Sequence, residues 1–182
     1  MISMQRRRYI SCIGSVLCLV AALFSAAALG LAGPAQAQIV ALGASNVAGK
    51  GVSSSEAFPA QLERMLAAKG YNVQITNAGV NGNTNADLLA RLDQAVPAGT
   101  KVVLLGTLGG RYNARRLGQG DQNAEFASIM AKLRSRGIKI IPVTAAGVTR
   151  KHLQVDGVHL TAEGHAVVAA RLLPSVIRAL GH

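Results

Sequence analysis

The residues that could do chemistry in this chain are a serine, Ser45, and an Asp156–His159 pair more than a hundred positions away. A serine hydroxyl is a weak nucleophile until a base takes its proton. Asp and His three positions apart, in a turn containing Gly157, can point both side chains the same way. The carboxylate then holds one imidazole nitrogen and leaves the other free to accept the serine proton. Attack on an acyl carbon also puts negative charge on the carbonyl oxygen, which needs hydrogen-bond donors fixed in advance. The backbone N–H groups of Ser45 and Gly79 and the side-chain amide of Asn113 are the candidates. This scheme calls for neither a metal nor a cofactor.

Each of these residues has a plainer reading. Small polar residues such as Ser45 often cap a turn after a strand, and Gly79 could serve only its backbone angles. Asn81 and Asn83 read as turn residues, and His152, His165 and His182 as structural or exposed. Residues 44–51, Ala-Ser-Asn-Val-Ala-Gly-Lys-Gly, approach a phosphate-binding loop but lack its first glycine and its final Ser or Thr.

The elements that must bring serine and histidine together follow from apolar periodicity. Residues 39–42 predict a first buried strand, and 56–69 a helix with Phe58, Leu62, Met65 and Leu66 on one face. A second strand is expected at 72–76, then a helix capped by Thr84 or Asn85 and running to about residue 96. Val102-Val103-Leu104-Leu105 marks the central strand, within 101–107. Residues 108–120 read as loop, 121–136 as helix and 138–143 as a fourth strand. An irregular stretch at 144–155 leaves room for at most a short fifth strand near 153–155. A last helix starts at Thr161, runs to residue 180 and contains Pro174 as a potential kink. Alternation of this kind implies a parallel sheet of four to five strands with helices on both faces. Ligands on such sheets bind beyond the carboxyl ends of the strands, where Ser45, Gly79, Asn113 and the Asp156–His159 turn all fall.

The N-terminus carries Arg6-Arg7-Arg8, an apolar run over 10–31 and Ala35-Gln36-Ala37, the pattern of an export signal cleaved between Ala37 and Gln38. Residues 1–37 are then a signal peptide, and 38–182 form one domain in the periplasm or outside the cell. The apolar run is also long enough to serve as an uncleaved anchor. Both cysteines, Cys12 and Cys18, lie in the leader, so the mature chain has no disulfide and no thiolate site. The leader holds three of the nineteen basic residues and none of the eight acidic ones, which leaves sixteen against eight, a mature charge of +8. That charge, with its cluster at Arg111, Arg115 and Arg116, reads as a solvated surface with weak attraction to anionic surfaces. Nucleic acid is disfavoured by the scarcity of aromatics and the export signal.

Taken together, these motifs resemble the SGNH (GDSL-type) hydrolase superfamily over nearly the whole mature chain. Gly43-Ala44-Ser45-Asn46 is similar to the block that carries the nucleophile, and Asn77-Ala78-Gly79 to the block that supplies an oxyanion glycine. Asp156-x-x-His159, followed by Leu160-Thr161-x-x-Gly164-His165, is similar to the block that carries the base. Two departures stand out. Ala44 replaces the usual Asp, and Gly110-Arg111-Tyr112-Asn113-Ala114 has an extra spacer and no Asp after Asn113. The resemblance implies a flavodoxin-like three-layer α/β/α sandwich. It also implies metal-free hydrolysis of acyl esters or thioesters through an acyl-enzyme, in the manner of an arylesterase or lysophospholipase. Small acyl esters, lipids and acetylated sugars are then the substrate classes. The other reading is a non-catalytic module that binds a glycan or lipid on the same fold.

Overall fold

A computed structural model describes residues 37–106 and 108–181. The expected leader, with both cysteines, therefore lies outside the described residues apart from Ala37, where the first strand begins. In chain order the elements are β1 (Ala37–Gly43), α1 (Ser45–Ala48), α2 (Phe58–Ala67), β2 (Val73–Gly79), α3 (Asn85–Ala90), α4 (Leu92–Ala95), β3 (Thr100–Leu105), α5 (Leu108–Arg116), α6 (Asn123–Ser135), β4 (Lys139–Pro142) and α7 (Ala162–Leu180). A single 3₁₀ turn, Arg150–His152, interrupts the stretch between β4 and α7.

The four strands form one parallel sheet in the order β2-β1-β3-β4. Side chains alternate between the faces of a strand, and here both faces are covered. Ile39, Ala41, Val102 and Leu104 pack with Phe58, Leu62 and Leu66 of α2 and Val168, Leu172 and Val176 of α7. Val40, Leu42, Val103 and Leu105 pack with Leu88 of α3, Leu92 of α4 and Ile129 and Leu133 of α6. The three layers expected from the alternation of elements are thus present. Continuous apolar runs in β1 and β3 are the consequence of burial on both sides.

From β1 the chain turns one way to β2, then crosses back over β1 to reach β3. The carboxyl ends of β1 and β3 therefore flank a topological switch point, where the helices leave in opposite directions and a crevice opens. Ser45 follows β1 directly at that point.

Two expectations are corrected. Residues 108–120 are not all loop, because Leu108–Arg116 is helical. The glycines Gly109 and Gly110 hid its periodicity, yet Gly110 lies so close to the Asn85 side chain that a Cβ would stand 2.3 Å from its Oδ1. The helix expected to run on to residue 96 breaks at Arg91 into α3 and α4. Among the described residues the sheet has four strands, within the four to five expected, and Leu153 makes a lone antiparallel bridge to Leu160. Helix α7 extends through Pro174.

His165 sits on α7 with no exposed surface. Its Nδ1 accepts the Phe58 N–H at 3.2 Å, and its ring stacks near Phe58 with centroids 6.3 Å apart. Burial lowers its pKa to about 4, with the Glu56 carboxylate opposing the shift. The folded state thus holds His165 neutral where an unfolded chain, with a value near 6.5, binds a proton. Stability rises with pH wherever the unfolded state binds more protons. Denaturant stability should therefore be fully present above pH 6.5 and fall as pH drops towards 4, by about 3 kcal/mol across that window. His165→Asn should flatten the dependence, as read from urea midpoints at several pH values.

Candidate active site

Strand β1 ends at Gly43, and Ala44 turns the chain so that Ser45 opens the short helix α1. That helix lies against the end of β2, where Gly79 pairs in register with Gly43. A Cβ on Gly79 would stand 2.1 Å from the Ala48 nitrogen and 2.6 Å from the Ala48 Cα. Only a glycine lets α1 come this close. Ser45 is held there with 8% of its surface exposed.

On the other side, the turn Asp156-Gly157-Val158-His159 folds over the nucleophile turn. Asp156 Oδ1 accepts the N–H groups of Val158 (2.9 Å) and His159 (3.0 Å), and its Oδ2 accepts His159 Nδ1–H at 2.5 Å. The carboxylate is therefore committed on both oxygens. The hydrogen bond to the imidazole, followed by those to the two backbone N–H groups, holds its pKa far below the usual carboxylate range, so it stays ionised. With Nδ1–H donated to the carboxylate, the lone pair on Nε2 faces Ser45 Oγ, 3.0 Å away. His159 is itself buried. Ser45 is thus brought beside the Asp156–His159 pair, 114 positions from His159, in the arrangement that a nucleophile, a base and a base-orienting carboxylate require.

Two residues that the motif reading passed over hold this turn in place. Asn46 Nδ2 donates to Val158 O at 3.1 Å, and Asn46 Oδ1 accepts the Leu160 N–H at 3.0 Å. One side-chain amide thus grips the backbone on either side of His159. Gln154 does the same from below. Its N–H donates to His159 O at 2.7 Å, and its Nε2 donates to Leu160 O (2.8 Å) and Lys50 O (2.7 Å).

The expected oxyanion donors are placed unevenly. Ser45 lines an open polar cavity of about 630 Å³ together with Asn113, Gly82, Tyr112, Lys50 and Arg116. Asn113 Nδ2 donates one hydrogen to Asn83 O at 2.9 Å, which leaves its second amide hydrogen free. Gly79 is placed apart from the other two. Its N–H is already given to Asn77 Oδ1 at 3.0 Å, it lies under α1, and it does not line the cavity. Gly82 lines the cavity instead, with a backbone φ of +80°. The Asn81-Gly82 dipeptide, a strong turn signal, marked this position in the sequence. Arg91 fixes the same loop to the sheet. Its guanidinium donates to Asn83 Oδ1 (2.7 Å), Ala78 O (2.8 Å) and Gly43 O (3.2 Å).

The histidines read as structural behave so where described. His152 is buried, with Nδ1 accepting the Thr149 N–H. His182 lies outside the described residues. Of the basic cluster, Arg115 pairs with Asp121 at 2.6 Å, while Arg116 sits over the Tyr112 ring at 5.9 Å. Among the described residues, no three His, Cys, Asp or Glu side chains cluster so as to hold a metal ion.

Residues 41–154 match the model of the GDSL-like lipase/acylhydrolase family. The chain belongs to that family. The match stops just short of Asp156 and His159, so their place beside Ser45 rests on the geometry above. Esterase TesA of Pseudomonas aeruginosa is 29% identical over 103 residues, 57% of this chain and 51% of that protein, so the aligned stretch spans about half of the relative. In fold, the chain is similar to a crystal structure of TesA (TM-score 0.67, 22% identity, 78% of this chain and 99% of that one). It is also similar to the psychrotrophic esterase EstA from Pseudoalteromonas sp. (TM-score 0.68, 15% identity, 80% and 99%).

The Asn46 clamp has a measurable consequence in this family member. Asn46→Ala leaves Val158 C=O and Leu160 N–H without their partner and frees the His159 turn to drift. A displacement of about 1 Å near reacting groups costs on the order of a hundredfold in rate. Loss of ester turnover should therefore appear mainly in kcat, with KM little changed. Asn46→Asp, which keeps the acceptor for Leu160 N–H but loses the donor to Val158 O, should fall between wild type and Asn46→Ala.

Proposed function

We propose that this chain is a serine esterase that cleaves acyl ester or thioester bonds through an acyl-enzyme. The carrying observation is the 3.0 Å approach of His159 Nε2 to Ser45 Oγ, with His159 oriented by an ionised Asp156. Family membership and the fold likeness to two esterases support the same reading.

In the first half-reaction, His159 takes the Ser45 proton as Oγ attacks the acyl carbon. The imidazolium that forms is stabilised by Asp156. The carbonyl oxygen becomes an oxyanion held by Ser45 N–H, by the second amide hydrogen of Asn113 and by Gly82 N–H, which takes the place first given to Gly79. His159 then returns the proton to the departing alcohol or thiol. In the second half, His159 activates water against the acyl-enzyme, and the carboxylic acid leaves.

The purified protein should hydrolyse p-nitrophenyl acetate and butyrate, and a fluorophosphonate should label Ser45. Ser45→Ala should lower kcat by several orders of magnitude. Asn113→Ala, which removes one oxyanion donor, should cost about a hundred- to a thousandfold in kcat. Equal turnover by wild type and Ser45→Ala would overturn the assignment. An unlabelled but folded sample would favour a binding module.

We further propose export. The Arg6-Arg7-Arg8 segment, the apolar run and Ala35-x-Ala37 support a cleaved leader. Among the described residues, no helix is long and apolar enough to cross a membrane. Mass spectrometry of the processed protein should find a chain that begins at Gln38. A chain retaining its first residues in the membrane fraction would instead identify the anchor.

A further inference from the structure

A second, smaller cavity adjoins the polar one at the nucleophile turn. It is lined by Ala44 and Asn46, which flank Ser45, and it shares Asn46, Gly109, Ala145 and Val158 with the open cavity. The two differ sharply in chemistry. The open cavity holds His159, Asp156, Lys50 and Arg116. The smaller one holds no ionisable side chain; its walls are Val47, Phe58, Val143, Val148, Leu160 and Val168. Phe58, Val47, Leu160 and Val168 are buried and close its floor. Val143, Val148 and Leu153 are half-buried at its mouth.

The reaction chemistry sorts the two sides of an ester between these cavities. His159 must hand its proton to the leaving oxygen, so the alcohol portion lies where the imidazole faces, in the open polar cavity. The acyl portion, on the other side of the carbonyl, is then directed into the apolar recess. We propose that this recess is the acyl pocket and that it selects short, unbranched acyl chains of about four carbons. Its volume is about 110 Å³. An apolar cavity of about 150 Å³ accommodates the six carbons of benzene, which sets the capacity here at about four carbons. A chain of ten or more carbons cannot fit behind Phe58 and must lie across the exposed 144–147 segment. This inference rests on the esterase reading and adds the substrate class to it.

The test compares kcat/KM for p-nitrophenyl acetate, butyrate, octanoate and dodecanoate. Each methylene that enters the pocket should raise kcat/KM about fourfold, so butyrate should exceed acetate by about fifteenfold, and octanoate and dodecanoate should fall below butyrate. Val148→Phe, which narrows the mouth, should lower the butyrate-to-acetate ratio about tenfold. Leu153→Ala, which widens it, should raise the octanoate-to-butyrate ratio. Fluorophosphonate labelling of Ser45 in each variant checks that the protein is folded. A wild-type profile that is flat or climbs to dodecanoate overturns the pocket while leaving the esterase intact. So does a pair of variants that scale all four esters equally. Absence of both labelling and hydrolysis overturns the esterase reading, and the pocket with it.

Discussion

A neutral imidazole can activate a hydroxyl only within hydrogen-bond reach, and here that reach spans 114 positions of chain. Most of the structure around the switch point can be understood as the means of holding one 3.0 Å contact. Strand β1 is buried on both faces and rigid, so the position of Ser45 follows from the sheet. The Asp156–His159 turn belongs to no strand and no helix. Its position has to be borrowed, and the lenders are side chains. Asn46 reaches from the nucleophile's own turn to the backbone on either side of His159, and Gln154 ties the same turn to the Lys50 loop. Ser45 and His159 are thus referenced to each other directly and not through the whole thickness of the domain.

Close packing at the carboxyl ends of the strands makes this possible. Helix α1 rests on Gly79, and Arg91 donates to Ala78 O and Gly43 O at the ends of the two paired strands. Even a half-buried guanidinium costs desolvation energy, and that partial burial lowers the Arg91 pKa, a shift that Asp87 opposes. Carbonyls of β1 and β2 together with Asn83 Oδ1 take hydrogen bonds from its Nε and Nη2, which offsets that cost. The same arginine therefore closes the sheet end and fixes the loop that presents Gly82 and the Asn83 carbonyl, the partner of Asn113.

Legibility in the sequence followed the range of the interactions. The strands and their order of appearance were readable because double burial leaves continuous apolar runs such as Val102–Leu105. Ser45, Asp156 and His159 were readable because the spacing of the last two constrains their directions locally. What the sequence hid depended on tertiary proximity. Gly79 ends β2 and Gly82 lies in the turn that follows, and each has a physical reason to be glycine: close approach of α1 in one case, positive φ in the other. Nothing local separates a glycine that must let a helix pass from one that can offer its N–H to a ligand. Helix α5 was hidden because Gly109 and Gly110, poor helix formers, sit in its first turn, where contact with Asn85 outweighs propensity. Of the four to five strands expected, four are found among the described residues, and the short apolar stretch at 153–155 contributes only the Leu153–Leu160 bridge.

The departures from the familiar motif pattern are better explained by position than by loss of chemistry. Ala44 carries no hydrogen-bonding side chain, and the task of anchoring the nucleophile turn falls to the next residue but one, Asn46, whose amide satisfies two backbone groups at once. The extra spacer before Asn113 is absorbed into the first turns of α5. Helical geometry there still returns the Asn113 amide to the Asn83 carbonyl at 2.9 Å and to the wall of the Ser45 cavity. A residue count that looks wrong along the chain is thus compatible with a correct distance in space, because a helix converts one added residue into about 1.5 Å of travel. On the esterase reading, the chemistry depends on the distance from amide to oxyanion, and a helix or a side-chain clamp can restore that distance when the spacing between blocks differs.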